Sequence, residues 1–87
     1  MNTEPLTITE TLASVALDAA NKYETNAEYS LAIAFYGVAA DHFSTAATET
    51  NNVHEAKIWS QVAEMARNGQ DQPREILASG FIERANA

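Results

Sequence analysis

Two histidines and a set of serines and carboxylates are the side chains of this sequence that could catalyse a reaction or hold a metal ion. His42 and His54 lie on different predicted helices, and His54-Glu55 lacks the second histidine that a zinc-protease helix carries four residues on. The serines lack the glycine-flanked turn of a nucleophile elbow, and no cysteine is present. We therefore predict no catalytic, cofactor-binding or metal-binding residue, no cofactor and no enzymatic activity.

Charge is more informative than these scattered groups. The 87 residues include 12 acidic and 5 basic side chains, a formal charge of −7, and seven acids but one base fall within residues 1–50. Binding to nucleic acid requires lysines and arginines that neutralise phosphates, so we expect no direct nucleic-acid partner. A basic protein surface is the natural target. The predicted acidic face consists of Asp18, Glu24, Glu28 and Asp41.

Length and hydropathy limit the organisation of the chain. The longest run of low polarity, residues 31–40, is well short of the roughly 20 residues that cross a bilayer. The first residues contain neither a basic nor an apolar stretch. We expect a cytoplasmic protein with no membrane segment, a disordered N-terminus over residues 1–6 and a single helical domain over residues 7–87.

Alanine-rich composition favours helix throughout the domain, since the chain has 17 alanines but only 3 glycines and 2 prolines. The first helix is predicted to begin at Thr7, where Thr7 and Glu10 match a capping box. A second box at Thr25 and Glu28 predicts a short link and an antiparallel second helix over about residues 27–47. The apolar stripe predicted to enter the core from the first helix is Ile8, Leu12, Val15, Ala16, Ala19 and Tyr23.

The second helix has two apolar faces. One consists of Tyr29, Ala32, Ile33, Tyr36, Ala39, Ala40 and Phe43, and the other of Leu31, Phe35, Val38 and His42. A helix that is apolar on two sides must be covered on both. The Leu31, Phe35 and Val38 face is therefore expected to contact the third or fourth helix or a second copy of the chain, and a homodimer is the preferred state.

The remaining chain is predicted to form a second hairpin over residues 52–86. Asn52 caps a third helix, whose Trp59 should dock against the first hairpin, and Gly69 should end that helix in the left-handed conformation. Pro73 begins a fourth helix, which carries Ile76, Leu77, Phe81 and Ile82. Together with the hairpin of residues 7–47, this predicts an all-α fold of four antiparallel helices arranged as hairpins or a bundle.

Small and aromatic residues at fixed spacing carry a resemblance to a known family. These residues are Ala20, Tyr23, Tyr29, Ala32, Tyr36 and Ala39. Their spacing resembles that of a tetratricopeptide helix pair, and the surroundings of Trp59 are similar to the start of a second, degenerate unit. A microtubule-interacting-and-trafficking type of hairpin matches the first two helices almost as well, and a plain helical bundle remains the alternative to both.

Two functions remain open at this stage. The first is a non-enzymatic adaptor or inhibitor that binds another protein through a helical surface or groove. The tetratricopeptide resemblance implies a concave binding face consisting of Ser14, Leu17, Asn21, Glu24, Lys57, Ser60, Glu64 and Arg67. The second is an acidic decoy that occupies the nucleic-acid-binding or other basic surface of a target protein. In this case the chain resembles the small anti-defence inhibitors of phages in size and charge, without sharing a motif.

Overall fold

A computed structural model describes the backbone of residues 6–86 and the side chains of residues 6–80. Within residues 6–86 the chain is helical and contains no strand, which confirms the all-α prediction. The helical segments are α1 Ile8–Thr25, α2 Tyr29–Glu49, α3 Val53–Asn68 and α4 Asp71–Asn86. Most of the predicted N-terminal disorder, residues 1–5, and the side chains of Phe81 and Ile82 lie outside the described residues.

Two of the predicted caps form hydrogen bonds at helix starts. Thr7 Oγ1 accepts a hydrogen bond of 3.1 Å from the amide of Glu10 at the start of α1. Asn52 Oδ1 accepts bonds of 2.9 and 3.1 Å from the amides of His54 and Glu55 at the start of α3. Each oxygen satisfies amides that have no carbonyl partner in the first helical turn, so short polar residues define both boundaries.

The turn between α1 and α2 differs from the predicted capping box. Thr25 is the last residue of α1, and its hydroxyl donates to the carbonyl of Asn21. Ala27 has a φ of 60°, and the amides of Ala27 and Glu28 donate to the carbonyls of Glu24 and Tyr23. This is a Schellman motif with alanine at its left-handed position. The carbonyls at the end of α1 are satisfied there, and Glu28 makes no side-chain cap to α2.

The core consists mainly of alanines. The buried apolar side chains are Ala13, Ala16, Ala20, Ala32, Tyr36, Ala39, Ala40, Phe43, Ala46, Ala63 and Ala66. The predicted inner face of α2 is largely confirmed, but the predicted stripe of α1 is wrong at Ile8, Leu12 and Val15, which are all exposed. Alanines allow two helix axes to approach closely, and rotating α1 to bury them turns its larger aliphatic side chains outward.

The end of α3 packs tightly on α2. Gly69 has right-handed helical angles, φ −60° and ψ −20°, so its predicted left-handed conformation is wrong. A Cβ atom on Gly69 would lie 2.9 Å from Cε1 of Tyr36, so close approach explains the glycine. Next to it, the Gln70 side-chain amide donates a 2.9 Å bond to the carbonyl of Ile33. A Cβ atom on Gly37 would lie only 3.0 Å from Gln70 Nε2, so this glycine leaves room for the Gln70 side chain.

Beyond this junction α4 does not fold back on α3, so the prediction of a second antiparallel hairpin over residues 52–86 is wrong. Within residues 6–86, α4 contacts α2 but forms no extended interface with α3. The longest dimension of the molecule is 58 Å, whereas α2, its longest helix, is only about 32 Å long at 1.5 Å per residue. Segments α3 and α4 therefore form one rod interrupted at Gly69 and Gln70. The described chain packs as three helical rods.

Candidate protein-binding surface

Large aliphatic side chains of α1 lie on the surface of the molecule. Ile8, Leu12 and Val15 are 81%, 49% and 60% exposed. Their spacing of four and three residues places them along one side of the helix. Since alanines occupy the side that faces α2, this stripe is an exposed apolar strip and not a part of the core.

A second strip on α2 adjoins the first. Leu31 and Val38 are each 42% exposed, and Phe35 between them is half-buried. The ring of Phe35 packs against Tyr23 of α1, with 5.3 Å between the ring centroids. Because α1 and α2 are antiparallel and joined by a three-residue turn, the start of α1 lies beside the end of α2. The two strips therefore meet at Val15 and Val38 and continue each other end to end. We call the exposed surface of Ile8, Leu12, Val15, Leu31 and Val38 the apolar face.

Carboxylates border the apolar face on both sides. Asp18 follows Val15 by three residues on α1, Asp41 follows Val38 by three residues on α2, and both side chains are exposed. Of the other two residues predicted for the acidic face, Glu28 is the exposed N-cap residue of α2 and Glu24 bonds to Tyr36. Asp18 and Asp41 are therefore the members of the predicted set that can act on a molecule bound to the apolar face.

Asn21 and Glu24, both predicted to contact a partner, accept hydrogen-bond contacts from the hydroxyl of a core tyrosine. The Tyr36 hydroxyl lies 2.6 Å from Glu24 Oε1 and 2.8 Å from Asn21 Oδ1. Burial raises the pKa of Tyr36 to about 12, and the hydrogen bond to Glu24 and its negative charge act in the same direction. The Tyr36 ring is buried in the α1–α2 interface while its hydroxyl reaches the rim. This network joins the two helices at the end near their turn.

The predicted residues of α3 do not face the predicted residues of α1 across a groove. Lys57, Ser60, Glu64 and Arg67 are exposed along one side of α3, and Arg67 donates a 2.8 Å bond to Ser44 Oγ of α2. Ser44 lies about 140° around α2 from Ala39, which packs against α1. The α3 set is therefore on the side of its helix that is turned away from Ser14, Asn21 and Glu24.

A cavity of about 220 Å³ lies where the start of α1 meets the start of α3. Its lining comprises Leu6, Thr7, Glu10, Ala46, Glu49, Thr50, Glu55 and Trp59. Trp59 is half-buried and stacks on Phe43 with 5.5 Å between the ring centroids, so its predicted docking against the first hairpin is confirmed. The cavity places three glutamates beside the tryptophan.

Titratable groups elsewhere do not gather into a reactive or metal-binding cluster in the described part of the chain. Within it, no group of three or more histidine, cysteine, aspartate or glutamate side chains has an arrangement that could hold a metal ion. His42 is half-buried in α2 next to the apolar face, and His54 is exposed in the first turn of α3. Nor does any described helix combine the length and the apolar character that are needed to span a membrane.

Comparison of the chain with protein-family models, curated proteins and solved structures yields no match. The exposed surface of the chain is therefore the guide to its function. The α2 part of the apolar face, Leu31 and Val38, was predicted from the sequence, but its α1 part, Ile8, Leu12 and Val15, was missed. The signal for it was the alanine series Ala13, Ala16 and Ala20, which is better suited to a close helix contact than the aliphatic series beside it.

Proposed function

We propose that this protein is a non-enzymatic protein-binding module that accepts an amphipathic helix of a partner protein on its apolar face. The observation that carries the proposal is the inversion of side-chain size, with alanines filling the core while Ile8, Leu12 and Val15 face solvent. Large contiguous apolar surfaces on soluble domains mark interaction sites. A strip that continues from one helix onto its antiparallel neighbour suits a third helix, whose apolar residues recur every three to four positions.

The charges beside the face define the chemistry of the partner helix. Asp18 and Asp41 border opposite edges of the face, so a helix with lysines or arginines flanking its apolar stripe is electrostatically complementary. Such rim charges raise the association rate and select between partners more than they add affinity. The adaptor or inhibitor function expected from the sequence thus takes the form of binding to a basic amphipathic helix.

Peptide titration tests this proposal. Two fluorescein-labelled helical peptides share one leucine stripe, and lysines flank it in the first and glutamates in the second. We expect the lysine peptide to bind more tightly, with a difference that narrows as salt is added. Val15→Asp should weaken binding at least tenfold, because it removes a buried aliphatic contact worth about 1.5–3 kcal/mol.

The matched control is Met65→Asp, which places the same charge on a 70% exposed side chain of α3 outside the face. It should leave binding within about twofold. Equal affinity of the wild-type protein and Val15→Asp for the lysine peptide would refute the assignment of the apolar face.

The second candidate is the acidic decoy, and the excess of acids over bases in residues 1–50 favours it. A decoy presents charge in place of an apolar stripe, so its binding to a basic protein groove should collapse with salt and should not respond to Val15→Asp. Replacement of Asp18, Glu28 and Asp41 by their amides should then abolish binding. The salt series in the peptide titration separates the two candidates.

We also propose that α1 and α2 pack as a tetratricopeptide-like pair. Complete burial of Ala20, Ala32 and Ala39 and near-complete burial of Tyr36 support this. The resemblance does not extend to a second pair, since α4 continues away from α3. In such an arrangement the apolar face is the side on which a preceding helix pair would stack, so its exposure at this position calls for a partner.

A further inference from the structure

Segment α4 is a second apolar surface of the same chain. Of its side chains in residues 71–80 only Pro73 is buried, while Ile76 and Leu77 are 38% and 40% exposed. Gln70 bonds to the carbonyl of Ile33 on the antiparallel α2. The first residue of α2, Tyr29, therefore lies opposite about residue 74. Beyond that point α4 extends past the helix that covers its first turn. A Cβ atom on Gly80 would meet nothing within 4 Å, which leaves room for another helix to approach.

The molecule as a whole exposes more surface than a compact monomer of its size. Its accessible surface is 6251 Å², whereas a folded monomer of 9.4 kDa exposes about 5,000 Å². Its radius of gyration is 15.6 Å, compared with about 12 Å for a compact domain of this length. The elongated molecule therefore has room for a standard stable interface, which buries roughly 800 Å² on each partner.

We propose that the protein is a symmetric homodimer in which α4 of each copy lies on the apolar face of the other. This rests on the proposed function of that face as a helix-binding surface and names its occupant. One chain carries both the exposed face and an exposed helix that extends beyond its own fold. A two-fold axis pairs each helix with the other copy's face and closes the assembly.

Composition supports this pairing. Ile76 and Leu77 of α4 supply aliphatic side chains to the face, and Gly80 lets the two helix backbones come close together. Arg74 on α4 and Lys22 beside the face provide a cation on each side of the contact. The exposed Asp71 and Glu75 of α4 offset Arg74, so α4 lacks the basic flanks proposed for a separate partner helix, and the pairing rests on its aliphatic contacts.

Sedimentation equilibrium of four full-length chains at tens of micromolar tests the dimer. We expect the wild-type protein and the control Met65→Asp to sediment as dimers. Val15→Asp on the face and Leu77→Asp on α4 should each sediment as monomers. Far-UV circular dichroism should show unchanged helix content in both, since the two side chains are exposed within one copy. A monomeric wild-type protein overturns the proposal, and so does a dimeric Leu77→Asp, which would show that the copies pack face to face.

Mixing the two monomeric variants tests the reciprocal geometry. In a mixed pair, the intact α4 of Val15→Asp meets the intact face of Leu77→Asp, so one of the two contacts is restored. We expect an equimolar mixture to form heterodimers that are weaker than the wild-type dimer. A mixture that remains fully monomeric overturns the reciprocal arrangement.

The lysine peptide distinguishes failure of the dimer from failure of the proposed function. Because Leu77→Asp frees the apolar face, it should bind the peptide more tightly than the wild-type protein does. If the wild-type protein is monomeric and binds the peptide, the dimer is overturned and the helix-binding function stands. If Leu77→Asp is monomeric and does not bind the lysine peptide, the helix-binding function is overturned.

Discussion

Replacing Tyr36 by phenylalanine removes one oxygen atom from the junction of α1 and α2 and leaves Glu24 and Asn21 without the phenol between them. The hydroxyl carries a single hydrogen, which we assign to the charged Glu24 oxygen at 2.6 Å. A hydrogen bond to a charged group contributes about 1.5–3 kcal/mol. Glu24 is half-buried, and water can replace part of this interaction, so we expect a loss of about 1–2 kcal/mol in the free energy of unfolding.

Urea denaturation followed by far-UV circular dichroism measures this loss. All variants must be compared at one protein concentration, because a dimer becomes more stable as its concentration rises. Tyr29→Phe is the matched control, since it removes the same hydroxyl from the first residue of α2, outside the network, and should change stability by less than about 0.5 kcal/mol.

A double-mutant cycle assigns the loss to the bond itself. Glu24→Gln combined with Tyr36→Phe should show a coupling energy of about 1 kcal/mol, as expected for two side chains in direct contact. If Tyr36→Phe and Tyr29→Phe are equally stable, or if the coupling is zero, the hydrogen bond does not hold the two helices together and our reasoning is refuted.

Three further predictions concern the same helix pair and its junctions. The pKa of Tyr36 is raised from 10 to about 12. The protonated hydroxyl should contribute about 1–2 kcal/mol to the free energy of unfolding after allowance for solvent at the rim, and this contribution should be complete below pH 10 and disappear as the pH rises through 12. Urea denaturation across that pH range should show a smaller loss of stability in Tyr36→Phe than in the wild-type protein. Ala27→Gly should raise the unfolding free energy by about 0.5–1 kcal/mol, because glycine adopts a φ of 60° without strain; an unchanged thermal midpoint would contradict this. Gly69→Ala should lower the unfolding free energy by about 1–3 kcal/mol by forcing a methyl group against the Tyr36 ring. Gly80→Ala, which is in open space within one copy, should be neutral or stabilising when it is introduced into the monomeric Leu77→Asp variant.

Prediction from the sequence succeeded where local chemistry decides the structure. Thr7 and Asn52 cap their helices because short polar side chains reach the free amides of the next turn, and this needs no tertiary contact. The inner face of α2 was also predictable, since Tyr36 and Phe43 lie on the same side of the helix as Ala32 and Ala39, so close helix approach and burial of large rings favour one face. Trp59 stacks on Phe43 of that face.

Prediction failed at three places where packing competes with a local preference. Ile8, Leu12 and Val15 are the more hydrophobic stripe of α1, but Ala13, Ala16 and Ala20 permit a closer approach to α2 and occupy the interface instead. At Ala27 the turn required a left-handed residue although no glycine was there to indicate it. At Gly69 the glycine predicted a left-handed helix end, but the tertiary structure uses its missing side chain to seat the Tyr36 ring.

The sequence by itself determined that this chain is helical, where α1 and α3 begin, that its charge is acidic and that it contains no cysteine chemistry. These properties depend on residue identity and on neighbours within one helical turn. Only the tertiary structure decided which side of α1 faces α2, that α4 continues away from α3 and that large aliphatic side chains line an exposed face. Those outcomes depend on how closely two helix surfaces fit, and helical periodicity alone cannot specify which of two adjacent apolar stripes makes the closer contact.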